Sequence, residues 1–421
     1  MGRALRLHPR AAARGQTAWE DMMKCVLHIG TEKTATTLLQ TWLYENEAAL
    51  SAQGVAMSRV MNTPNNRKLA TFAQGGIDDY LRMRGVHDDA GREAFFRGFP
   101  EAMDAEIRAK AAAGHHTFLI TSEHFHSRLQ GPQQVARVRE ILAPYFDEFR
   151  VVCYFREQSK KRTSLYSTGL RNTSGQTIEE FQQGVGLNHH AYNYLVLFRK
   201  WEDVFGHAAL VARLFESSAL EQGDIRRDFL NHALPGVDPE ALNFDKSSAN
   251  VSLSADEALL YQRINAARPQ FIGKVLDPTP GTVKHLVSQM PFLDQSEALR
   301  DGRQEAFYDL FNDSNIAFFE RYFGEARNLF KRPKAHDGDA DDTPKYASKD
   351  LAEFAARLMD FNNLVVLREE EVTVLANLAQ RLHDAGAISA QEAITLLSIA
   401  QRARPDGEEI AARIDALWPQ K

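Results

Sequence analysis

The stretch CVLHIGTEKTATTLLQTWL, Cys25 to Leu43, constrains this chain most. An apolar run from Cys25 to Ile29 leads directly into Gly30-Thr-Glu-Lys-Thr-Ala-Thr-Thr37. An amphipathic run follows, with apolar residues at Leu38, Leu39, Trp42 and Leu43. The pattern reads as strand, tight turn, helix. Such a turn empties onto a helix N-terminus, where free main-chain N–H groups and the positive end of the helix dipole attract an anion. Thr34, Thr36 and Thr37 add hydroxyl donors and Lys33 adds a point charge, so the natural guest is a phosphate.

The common phosphate loop, G-x-x-x-x-G-K-[ST], does not describe this turn. Lys33 follows Gly30 by three positions, no second glycine precedes it, and Ala35 stands two residues after it. The order G-x-x-K-T-[small]-T-T resembles instead the 5′-phosphosulfate loop of sulfotransferases, which use 3′-phosphoadenosine 5′-phosphosulfate (PAPS) as co-substrate. The resemblance implies cofactor contacts from Gly30, Thr31, Glu32, Lys33, Thr34, Ala35, Thr36 and Thr37. That family usually has glycine where Ala35 stands, and alanine accommodates a positive φ less readily.

A second strand end carries a second anion signal. Residues 149–166 read FRVVCYFREQSKKRTSLY. The apolar run Val151–Phe155 stops at Arg156, and Ser164 and Tyr166 follow, with Lys160, Lys161 and Arg162 between. An arginine fork and a serine two helical turns later can close on one phosphate. The pattern resembles the sulfotransferase 3′-phosphate motif, a strand-end arginine that opens R-x7-S-x-Y. It implies that Arg156 and Ser164 read the 3′-phosphate. Gln158 stands where the family often has proline.

A third strand end is TFLITSEHF, residues 117–125. Ligands in open α/β folds gather at the carboxyl ends of parallel strands, and moving a sulfuryl group onto a hydroxyl needs a proton acceptor. Sulfotransferases resembling this chain place a glutamate or histidine just past such a strand. The expected base is therefore Glu123, with His124 second. The competing expectation is that Glu123 caps the following helix.

Charge and cysteine content bound the remaining options. The 421 residues carry a net charge of −6, which argues against nonspecific nucleic-acid binding. The basic residues near 156–171 are then a local feature, suited to a doubly phosphorylated cofactor. The two cysteines, Cys25 and Cys153, both fall in expected core strands and read as buried thiols. Thiolate zinc sites are excluded, the histidine pairs have no ligand spacing that marks a metal, and no metal is expected. No run reaches the roughly 20 apolar residues of a membrane span. The basic, alanine-rich N-terminus lacks the apolar core of a secretory signal, so the chain is expected to act in the cytoplasm. Met1, Met22 and Met23 all remain open as the start.

The expected fold is α/β: a P-loop-like parallel sheet flanked by helices, with a C-terminal all-helical appendage. Apolar runs at 25–29, 117–122, 150–155 and 209–215 alternate with helical patterns. The expected organisation is a disordered basic extension (1–22), a sulfotransferase-like α/β domain (23–332), a Pro/Gly/acidic linker (333–346) and a small helical region (347–421) resembling one tetratricopeptide-like hairpin. That tail is expected to pack on the domain, self-associate or contact another protein. The polar, helical interval 58–112 is the expected source of acceptor specificity. A helix carrying Trp201 and Phe205 is expected to end at Gly206, and Asn250-Val-Ser252 resembles a loop near the cofactor in the family. Residues 255–332 read as mostly helical, with the Phe and Tyr stripe 307–323 facing a core. The reading that results is a PAPS-dependent sulfotransferase whose acceptor is a hydroxyl on a carbohydrate or glycolipid. The alternatives are a P-loop nucleotide or small-molecule kinase, which would need a Mg²⁺ ligand and an ordinary phosphate loop, and a non-catalytic scaffold working through its helical tail.

Overall fold

The computed structural model describes residues 23–245, 253–267, 271–272, 275–276, 279–290, 293, 299, 301–333, 367 and 369–418. The expected basic extension, the linker beyond Pro333, the first part of the tail and the Asn250–Ser252 loop lie outside the described residues.

The sheet has five strands: β1 (Lys24–His28), β2 (Val55–Met57), β3 (Thr117–Thr121), β4 (Glu148–Phe155) and β5 (Leu210–Leu214). Their spatial order is β2-β3-β1-β4-β5. β1 runs parallel to β3 and to β4, with Leu27 opposite Ile120 and Val151, and β2 runs parallel to β3. Strands covered on both faces read as continuous apolar runs rather than alternating ones. Cys25–Leu27, Phe118–Ile120 and Val151–Phe155 are accordingly all buried. Cys25 and Cys153 are free thiols inside these runs.

Helices fill the crossovers. α1 (Thr36–Glu45) and α2 (Glu47–Ala52) connect β1 to β2. α3 (Arg67–Gln74), α4 (Asp79–Arg82), α5 (Asp89–Phe95) and α6 (Phe99–Ala112) make up the interval before β3, which is helical as expected. α7 (His124–Arg128) and α8 (Pro132–Leu142) lead to β4. β2 is absent from the sequence expectation because three residues are too few to show a period.

The order of the strands defines a switch point. The chain leaves β1 toward β2 and β3 on one side and leaves β4 toward β5 on the other. Neighbouring strands whose connections diverge define the switch point, and ligands of open α/β sheets bind outside the carboxyl ends there. The β1 end is His28, and the first anion signal follows it.

The chain forms two compact units. The sheet unit holds residues 23–31, 36–154 and 198–245. The other holds 32–35, 155–197 and the described residues from 253 onward.

In the second unit α9 (Gln158–Asn172) is central. Tyr166 and Leu170 pack with Ala258 and Tyr261 of α12 (Ala255–Ala267) and with Val287 of α13 (Thr279–Val287). α10 (Tyr194–Phe205) ends where expected, at Gly206 with φ 84°. In the sheet unit α11 (Ile225–Ala233) follows β5. On α14 (Gln304–Phe323) the residues Phe307, Tyr308, Phe311, Phe318 and Phe319 are buried, so the aromatic stripe is a core face. Between α12 and α13 a short antiparallel pair, Phe271–Ile272 with Val275–Leu276, interrupts the expected helical stretch. Phe, Ile and Val favour extended backbone, which the broader helical pattern masked.

The C-terminal region is helical: Glu369–Asp384, Ala390–Ala403 and Glu408–Leu417. These helices share a core of Val372, Ala376, Ile394, Leu397, Ile410 and Ile414. Ser389 and Glu392 form a capping box at the second helix. Among the described residues no helix is long and apolar enough to cross a membrane.

Candidate functional site

The β1 loop continues the sheet before it turns. Ile29 donates to the Val152 carbonyl at 3.0 Å, Tyr154 N–H donates to Gly30 at 2.7 Å, and Thr31 N–H donates to Tyr154 at 2.9 Å. Gly30 adopts φ 105°, a conformation in which glycine carries no steric penalty. Lys33 and Ala35 take φ 68° and 54°. A left-handed conformation at a non-glycine residue costs on the order of 1–2 kcal/mol and clusters where ligands bind. Ala35 thus takes a positive φ that alanine accommodates less readily than glycine. α1 then opens at Thr36, with no acidic residue in its first turn to oppose an anion. Thr31, Thr34 and Thr36 are buried, and Thr37 is exposed at the helix start.

Within the second unit, Arg156 and the lysine of this loop meet. Arg156 Nη1 donates to the Lys33 carbonyl at 3.1 Å. Lys33 Nζ donates to Thr168 Oγ1 on α9 at 2.5 Å, and Thr168 Oγ1 donates to the Ser164 carbonyl at 3.2 Å. The Arg156 carbonyl accepts from Tyr194 Oη. Arg156 keeps its place at the strand end because Glu157 immediately starts the next helix. The Glu157 carboxylate accepts from the N–H groups of Ser159 and Lys160 at 2.8 and 2.9 Å. Burial raises the pKa of Glu157. Gln158 forms a buried reciprocal amide pair with Asn315 at 2.7 and 3.1 Å. Ser164 lies half-buried in the middle of α9.

The neighbouring basic residues do different work from that expected of them. Lys161 is buried and donates to the Ala191 carbonyl at 2.7 Å. Arg162 is buried, ion-paired to Asp301, and donates to the carbonyls of Ile178 and Phe181. These two charges hold the loop after α9 rather than adding to a phosphate site. At the far end of α9, Lys284 Nζ reaches the carbonyls of Leu170, Arg171 and Asn172 at 3.2, 2.7 and 2.5 Å. A buried ammonium there satisfies the orphan carbonyls and the negative end of the dipole. Arg171 and Asn172 themselves are exposed.

In the sheet unit, β3 ends at Thr121 and α7 begins at His124. Glu123 occupies the N-cap position, yet its side chain makes no capping bond. Instead its Oε2 accepts from Gln40 Nε2 of α1 at 2.7 Å. Oε1 lies 3.7 Å from His124 Nε2. Arg67 Nη1 lies 2.9 Å from Nδ1 and 3.1 Å from Nε2 of His124. Arg67 also pairs with Asp78 at 2.9 Å and Asp79 at 2.8 Å, and Arg128 pairs with Asp79 at 3.1 Å. Burial first, then the Arg67 and Arg128 charges, push the His124 pKa down to about 3. The imidazole is therefore uncharged and a weak base near neutral pH. His126 is buried beside it.

Gln40, Arg67 and Thr168 escape sequence reading. Gln40 had a usable signal, a lone amide among Leu39, Trp42 and Leu43 on a buried helix face. Arg67 and Thr168 gave none, because their partners lie 57 and 135 positions away.

No protein-family model matches this chain. An uncharacterized protein of Archaeoglobus fulgidus is 28% identical over 191 residues, which are 43% of this chain and 47% of that protein. The chain thus spans about half the length of the curated relative it matches. The crystal structure of a sulfotransferase from Alicyclobacillus acidocaldarius is similar at a TM-score of 0.35 and 14% identity, covering 53% of this chain and 86% of that one.

Proposed function

We propose that this protein transfers a sulfuryl group from PAPS to an acceptor hydroxyl on a carbohydrate or glycolipid. The reading rests on the motif resemblance and on one observation above all. The strand-end arginine of the 3′-phosphate motif, Arg156, hydrogen-bonds the main chain of Lys33 in the 5′-phosphosulfate motif. Two motifs separated by more than a hundred residues meet, as they must if they hold the two ends of one nucleotide.

The proposed reaction is an in-line displacement. The acceptor oxygen attacks sulfur, the bond from sulfur to the bridging phosphate oxygen breaks, and adenosine 3′,5′-bisphosphate leaves. The loop Gly30–Thr37 holds the 5′-phosphosulfate, and Lys33 neutralises charge on the departing oxygen. Arg156 and Ser164 hold the 3′-phosphate, which ATP lacks. Glu123 takes the acceptor proton. The weak basicity of His124 supports the glutamate over the histidine.

Thermal-shift titration tests the reading. A ligand that binds the native state stabilises it by RT ln(1 + [L]/Kd). Adenosine 3′,5′-bisphosphate should raise Tm with the logarithm of its concentration above Kd, while ATP with Mg²⁺ should do so weakly. A response to ATP with Mg²⁺ alone points to a kinase, and a response to neither points to a scaffold.

A further inference from the structure

Gln40 is 2% exposed and lies on the inner face of α1 with Leu39, Trp42 and Leu43. A buried amide in apolar surroundings is costly unless hydrogen-bonded. Its Nε2 donates to the Glu123 carboxylate at 2.7 Å, a charge-assisted contact. Thr36 and Gln40 are four residues apart on one helix and so share a face. Both are buried. The same stripe of α1 therefore carries a hydroxyl of the phosphate loop at its start and a hold on Glu123 one turn later. Farther along, Trp42 Nε1 and Asn46 Nδ2 donate to the Asn243 carbonyl at 2.6 and 3.1 Å, which pins the helix in rotation.

Resting on the reading of Glu123 as the base, we propose that Gln40 is a positioning residue. It orients the Glu123 carboxylate and ties it to α1 one turn after Thr36, so that filling the phosphate loop and aiming the base are coupled. The donor fixes Oε2, and with it the plane of the carboxylate. The charged and titratable groups around this carboxylate include His124 at 3.7 Å, Arg67 against that ring, and Asp78, Asp79 and Arg128 beyond it. None of them replaces the amide of Gln40, which comes from a different element.

Gln40→Leu keeps the side-chain volume and removes the donor, with Gln40→Met as a second variant should the first fail to fold. The test uses the full chain labelled with carboxyl-¹³C glutamate. The Glu123 resonance is identified by its loss in Glu123→Gln. Losing a donor to the charged form raises a carboxyl pKa, so Glu123 should titrate higher by about one unit in Gln40→Leu. Adenosine 3′,5′-bisphosphate should shift the Glu123 resonance in the wild type and not in Gln40→Leu, although both bind it. Turnover gives the third readout. Gln40→Leu should lower kcat by about tenfold in the wild type and by nothing in the Glu123→Gln background, as groups acting as a unit do. Identical Glu123 titrations, or an additive loss of kcat, overturn the proposal. A wild type that gains no stability from the bisphosphate overturns the sulfotransferase reading, while the titration arm still decides whether Gln40 holds Glu123.

Discussion

The ammonium of Lys33 rests on the hydroxyl of Thr168, 2.5 Å away and one turn beyond Ser164 on α9. The hydroxyl passes the contact on to the Ser164 carbonyl. The lysine proposed to meet the leaving phosphate oxygen is thus held on the helix proposed to bind the other phosphate. The 68° φ of Lys33 aims its side chain away from the path a right-handed residue would give it.

A transition-state donor has a recognisable kinetic signature. Lys33→Ala should lower kcat by roughly 10²–10³-fold, the usual loss for one donor to developing charge. Affinity for adenosine 3′,5′-bisphosphate should fall much less, since Arg156 and the loop amides remain. Thr168→Val should keep turnover within about tenfold, because that hydroxyl holds the lysine without meeting the transferring group. Steady-state kinetics with PAPS decide it, and near-normal turnover in Lys33→Ala removes the loop from the mechanism.

Arg156 should read the 3′-phosphate and brace the loop together. Arg156→Ala is expected to weaken PAPS by about 1.5–3 kcal/mol, as loss of a charge-assisted contact does. Adenosine 5′-phosphosulfate, which lacks that phosphate, should lose far less; a small loss follows because the Lys33 carbonyl also loses its donor. Competition binding of the two nucleotides measures the ratio. An equal loss would show that Arg156 serves only the loop.

How much of this was legible depends on range. The strand, turn and helix of the β1 loop and of the β4–α9 turn were readable because each set is contiguous in sequence. The parallel sheet was readable for the same reason, since buried strands such as Val151–Phe155 are unbroken apolar runs. Composition misled at Lys161 and Arg162. Their charge looked available to a ligand, yet folding spends it on Ala191, Asp301, Ile178 and Phe181. The hold of Gln40 on Glu123 and the Arg67–His124 contact join residues 83 and 57 positions apart. No local pattern encodes such pairings, which appear only once β3 lies beside β1.

Buried histidines give the protein an acid response. His28 and His124 are both pushed down to about 3, chiefly by burial. Between their ordinary value and that level the unfolded chain binds the proton and the folded chain does not. Stability should therefore be fully present above pH 6.5 and fall as the pH drops. Each histidine adds a slope approaching 1.4 kcal/mol per pH unit, about one proton. Glu157, raised by burial, takes up its proton in the folded state and offsets part of this. Denaturant unfolding between pH 6.5 and 5 tests it. His124→Asn should reduce the slope by about one proton, and an unchanged slope would mean that His124 is charged in the fold.

The sharpest prediction separates two adjacent residues. Glu123→Gln keeps the shape of the side chain and removes the proton acceptor. It should fold, bind adenosine 3′,5′-bisphosphate normally and lose about 10²–10⁴-fold in kcat, the range attributed to general acid–base catalysis. His124 differs in kind. Arg67 lies against its ring and its pKa sits near 3, so a proton it accepted at neutral pH would leave at once. His124→Ala should consequently change kcat little, though it strips a partner from Arg67 and should lower Tm. The pH profile distinguishes the residues further, since a glutamate base gives an acid limb that vanishes in Glu123→Gln and persists in His124→Ala. An active Glu123→Gln beside an inactive His124→Ala would transfer the role to the histidine. If both variants turn over normally, the base lies elsewhere, and the helical interval that brings Arg67, Asp78 and Asp79 to this site is where to look for it.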